Sequence, residues 1–81
     1  MIVIIKMMDK TIFTREHKLL TKLLRQARID AGLDQIQVAK LLKKTQSYVS
    51  KIESGQRRID IIQLKEFARI YKKNINYFLD K

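Results

Sequence analysis

The stretch DQIQVAKLLKKTQSYVSKIESG, Asp34 to Gly55, decides how this chain is read. It holds two short amphipathic runs separated by a polar, basic link. Asp34 is a helix-capping residue, and Gln37, three positions on, completes a capping-box pattern. Val38, Ala39, Leu41 and Leu42 supply the buried side of the helix that follows. Thr45 caps the second run, in which Val49 and Ile52 face inward. Gly55 ends it where a left-handed residue is wanted. The outward face of this second helix carries Gln46, Ser47, Tyr48, Ser50 and Lys51.

The flanking sequence is helical as well. Leu20, Leu23, Leu24, Ala27 and Ala31 recur at helical spacing, which predicts a helix from Glu16 to Ala31, capped by Thr14 and closed by Gly32. Asp60 and Gln63 repeat the capping box and open a helix with Leu64, Phe67, Ala68 and Tyr71 on one face. Asn74 caps a short last helix carrying Phe78 and Leu79. Only residues 2–5 have the β-branched density of a strand. The expected fold is all-α, a compact five-helix domain over residues 14–81 with its central motif at 35–54. Residues 1–13 are an extension that leaves room for a short strand.

Composition narrows the function. A chain of 81 residues makes one domain, burying roughly 60% of its unfolded surface. The absence of cysteine removes disulfides and thiolate zinc sites. The single histidine, His17, lies between Glu16 and Lys18 and reads as a solvated helix-start residue. Neither a metal nor a cofactor is expected. The net charge of +10 favours a polyanionic partner, nucleic acid ahead of a membrane. From Lys40 to Arg58 six basic residues (Lys40, Lys43, Lys44, Lys51, Arg57, Arg58) face one acid, Glu53.

MIVII, interrupted by Lys6, is far short of the about 20 residues a bilayer span needs. It also lacks the features of a signal peptide, so a cytoplasmic protein without a membrane partner is expected. An enzyme is not: there is no Ser/His/Asp or Cys/His set and no Gly-rich phosphate loop. Asp30, Asp34 and Glu53 are accounted for by helix ends and the core.

Two short helices joined by a tight turn suit one task well. The first braces against a DNA backbone while the second lies in the major groove. The crossing needs a small residue, and Ala39 is there. Val38, Leu42, Val49 and Ile52 lock the pair to the domain, and Gln46, Ser47 and Lys51 reach outward.

The stretch LDQIQVAKLLKKTQSYVSKIESGQRR, residues 33–58, resembles the helix-turn-helix domain of the phage repressor and Cro family, the XRE family of bacterial regulators. The likeness runs over about residues 19–79 and includes the spacing Gln35–Ala39–Val49–Ile52–Glu53–Gly55. It implies a lambda-repressor-like fold and roles by position. Gln35 would bond a phosphate and brace Gln46, which would pair with adenine. Ser47 and Lys51 would take other base-facing positions, with Tyr48 and Ser50 at the groove or its wall. Lys44, Arg57 and Arg58 would contact phosphate, which positions without reading sequence. Arg28 and Glu53 would meet as an ion pair beneath the motif. Lys43 departs from the family by standing at the usual turn glycine, so the turn is either reshaped or Lys43 takes a left-handed conformation. Lys44 replaces an apolar residue.

The function so implied is a sequence-specific, double-stranded DNA-binding transcriptional regulator, a repressor acting as a homodimer on a palindromic operator. The alternative is an antitoxin that binds a partner toxin and autoregulates its operon. Tyr48 also fits a packing role without DNA contact, and Arg57 and Arg58 fit plain surface charge. Two surfaces suit the dimer: a C-terminal one with Ile70, Ile75, Tyr77 and Phe78, and an edge strand at residues 2–5.

Overall fold

The computed structural model describes residues 15–79. Within them lie five helices and no strand: α1 (Arg15–Asp30), α2 (Gln35–Leu42), α3 (Gln46–Glu53), α4 (Ile61–Tyr71) and α5 (Asn76–Leu79). The expected Thr14 cap and the residue 2–5 strand lie outside the described residues. None of these helices is long and apolar enough to cross a membrane.

Local chemistry sets the starts. Asp34 accepts from the Gln37 amide at 2.7 Å while the Gln37 side chain accepts from the Asp34 amide at 2.8 Å, a reciprocal box that opens α2. Asp60 and Gln63 do the same for α4. The Thr45 hydroxyl accepts from the Tyr48 amide and opens α3. Asn74 accepts from the Asn76 amide at the entry to α5.

The ends follow one pattern. Gly32 (φ +73) and Gly55 (φ +85) take the left-handed conformation. The next amides, of Leu33 and Gln56, bond back to the carbonyls of Arg28 and Lys51. α2 and α4 end the same way without glycine: Lys43 has φ 59, ψ 43 and Lys72 has φ 58, ψ 42. The turn between α2 and α3 is therefore kept rather than reshaped, with Lys43 in a conformation that costs an L-residue roughly 1–2 kcal/mol.

The core is a single cluster of Leu24, Ala27, Val38, Ala39, Val49, Ile52, Leu64, Phe67, Ala68, Tyr71 and Phe78. Ala39 and Val49 are both buried in it, so α2 and α3 cross closely. Three expectations are corrected. α1 ends at Asp30, leaving Ala31 exposed beside Gly32. Leu41, assigned to the buried side of α2, is 58% exposed, because Val38, Ala39 and Leu42 already fill the contact with the core. The C-terminal residues expected as free apolar surface are largely used internally: Phe78 is buried, and Ile70, Ile75 and Tyr77 pack against the core, leaving Leu79 exposed.

Candidate nucleic-acid interface

α3 presents one polar face. Successive residues turn by about 100° on a helix, so Gln46, Ser50, Ser47 and Lys51, with Ser54 at the C-cap, share a contiguous arc of about 140°. All five are exposed, while Val49 and Ile52 on the far side are buried. Ser50 sits inside this arc and Tyr48 at its border, which separates two residues that the sequence reading grouped together.

The seat of α3 is an ion pair. Arg28 Nε donates to Glu53 Oε2 at 2.7 Å and Arg28 Nη2 to Glu53 Oε1 at 3.2 Å, a two-pronged contact between α1 and the last residue of α3. The remaining prong, Nη1, donates to the Leu33 carbonyl at 3.0 Å and so ties down the loop before α2. The bond to Glu53, acting against desolvation, raises the Arg28 pKa above its ordinary value. Gln35, first in α2, donates through Nε2 to the same carboxylate at 3.0 Å. Gln46 Nε2 in turn lies 3.5 Å from Gln35 Oε1. The two glutamines and the ion pair thus form one connected chain reaching from the interior to the exposed face.

Tyr48 has a different part. It is half-buried and stacked on Phe67, with ring centroids 6.4 Å apart and an 11° interplanar angle. Lys44 Nζ lies 5.4 Å and the Arg57 guanidinium 5.0 Å from its ring centroid, both in cation–π range. Burial raises the Tyr48 pKa, and the Arg57 charge acts against that shift. Lys44, which stands where the family has an apolar residue, is exposed with its ammonium over the Tyr48 ring. Arg58 is exposed.

The electrostatic sign of this face follows from where its charges point. Lys40, Lys43, Lys44, Lys51, Arg57 and Arg58 are all exposed. Glu53, the one acid between Lys40 and Arg58, has a side chain 4% exposed and is paired inside. The outer surface of the segment is therefore uniformly basic. Arg25 adds to it, and sequence reading passed it over. It is exposed and lines a hollow of about 230 Å³ with Arg28, Gln35, Ser50, Glu53 and Ser54. The available signal was its position three residues before Arg28, which places both on one side of α1. His17 Nε2, 3.3 Å from the Gly55 carbonyl, links the first turn of α1 to the end of α3.

A family model described as helix-turn-helix matches residues 24–78, more than half of the chain. A comparison with curated proteins finds no match.

Proposed function

This chain belongs to the helix-turn-helix family of XRE type, DNA-binding regulators of transcription, and from that premise we propose that it is a cytoplasmic repressor of sequence-specific action, reading a palindromic operator as a homodimer. The observation that carries the reading is the exposed polar arc of α3, in a segment whose exposed charges are all basic, held by a part-buried ion pair. Gln46, Ser47, Ser50 and Lys51 read base edges in the major groove. Gln35, Lys44, Arg57 and Arg58 contact phosphate, and Arg25 joins them from α1. Tyr48 holds the Lys44 and Arg57 cations at the groove wall.

One recognition helix spans only a few base pairs, and a two-fold pair placing its helices about 34 Å apart doubles the sequence read. Leu79 and the outer parts of Ile75 and Tyr77 are what the C-terminal face keeps for a partner copy. Exposed Ile29, Leu41, Ile61 and Ile62 are the apolar side chains that an antitoxin's partner protein would use.

Selection from a randomised double-stranded DNA library, followed by sequencing, tests the reading. A two-fold symmetric consensus with half-sites one helical turn apart is expected. Retention of DNA without any consensus overturns sequence-specific repression. Mass in solution, with and without residues 1–6, checks the dimer: a monomer in both forms, alone and on DNA, overturns it.

A further inference from the structure

We propose that Glu53 is a positioning residue for base recognition, fixing which way round Gln46 presents its amide to the DNA. This rests on the base-reading role of Gln46 proposed above and adds a cause for its polarity. A carboxylate clamped by a guanidinium has acceptors only. Glu53 Oε1, which also takes a bond from Arg28, therefore requires Gln35 to turn its NH2 group inward, at 3.0 Å. Gln35 Oε1 is then left facing Gln46, which must donate to it through Nε2, at 3.5 Å.

A side-chain amide has one donor end and one acceptor end, so each link fixes the next. Gln46 spends one N–H on Gln35 and keeps Oε1 and the second N–H for the groove, in a set order. An acceptor beside a donor is the complement of the adenine N6–H and N7 edge. Reversal of the Gln35 amide would exchange the two ends of Gln46 and present that complement backwards. The part-buried Arg28–Glu53 pair thus has a consequence on the exposed face: it sets the base preference of a residue it does not touch.

Three variants of the full chain, Glu53→Gln, Gln35→Leu and Gln46→Ala, test this by selection on the randomised double-stranded DNA library. Glu53→Gln can offer an NH2 group to Gln35 and so permits the reversed order. It is expected to lower or switch discrimination at the one base pair that Gln46→Ala identifies, by about tenfold, with the other positions kept. Gln35→Leu breaks the link while leaving the ion pair, and is expected to loosen that same base pair. A purely structural role would weaken all positions alike. An unchanged preference at that base pair in either variant overturns the proposal, and Gln35→Leu can still overturn it if Glu53→Gln does not fold. If Gln46→Ala leaves every position unchanged, the base-reading role itself fails and this inference with it.

Discussion

Arg28 and Glu53, 25 residues apart in sequence, meet at 2.7 Å with side chains 13% and 4% exposed. This contact fastens α3 to α1, and its energetics are those of breaking a buried pair rather than of making one. Removal of either partner leaves the other charge desolvated, and loss of Arg28 also orphans the Leu33 carbonyl. Arg28→Ala and Glu53→Ala are each expected to cost about 3–5 kcal/mol, read by urea denaturation. A loss below about 1 kcal/mol, the range of exposed pairs, would mean the two groups remain solvated.

The two lysines with positive φ give a prediction of opposite sign. Lys43 and Lys72 each hold a left-handed backbone at a helix end, where glycine has no Cβ to strain. Relief of that strain is offset in part by the greater freedom glycine gives the unfolded chain. Lys43→Gly and Lys72→Gly are each expected to stabilise by about 0.5–1 kcal/mol. A midpoint in urea that stays level or falls would show that another interaction of the lysine outweighs the strain.

Which features were legible in the sequence follows from how local their physics is. Asp34, Thr45 and Asp60 act on amides three residues away, and Gly32 and Gly55 act on their own backbone, so all five positions can be read from a short window. Leu41 could not be, because periodicity marks an apolar stripe without saying how much of it a neighbour covers. Ile70, Ile75 and Tyr77 failed for the same reason: what looked like surplus surface is packing against the core. Lys72 carries no trace of its positive φ, since its end of α4 lacks the glycine that signals one. On α3, the shared exposed face of Gln46, Ser47 and Lys51 follows from helical phase alone. The link from Gln35 to Glu53 and the hold of Tyr48 on two cations depend on side chains brought together by the fold.

Tyr71 carries a liability inside the core. Its hydroxyl is buried and, among the described residues, has no hydrogen-bond partner. Burial, reinforced by the nearby Glu53 charge, pushes its pKa above the ordinary 10.0. Tyr71→Phe removes the orphaned group and is expected to stabilise the fold by about 1 kcal/mol at neutral pH. The raised pKa adds a pH dependence of definite sign. The folded state keeps the proton after the unfolded chain has begun to lose it, so this contribution is whole below about pH 10 and is lost as pH rises further. Urea titrations of wild type and Tyr71→Phe at pH 8 to 11 should therefore diverge, the wild type falling faster. Parallel curves would mean that the hydroxyl titrates as it does in the unfolded chain.

The proposed DNA face separates into two kinds of residue, which salt and sequence distinguish. A cation on a phosphate releases counterions, so each such contact adds about −0.9 to the slope of log affinity against log salt. Arg57→Ala is expected to weaken all sequences alike and to make that slope shallower by about one. Tyr48→Ala should act in the same direction although it carries no charge, because the ring that holds Lys44 and Arg57 is gone. Tyr48→Phe keeps the ring and its stacking on Phe67, and should retain the wild-type slope. Gln46→Ala, by contrast, should leave the slope alone and relax one base position by about 1–3 kcal/mol. Affinities for a selected operator and for scrambled DNA, across a salt series, check all four at once. A Tyr48→Phe variant that lost discrimination at a single base would move Tyr48 from holding cations to reading sequence through its hydroxyl.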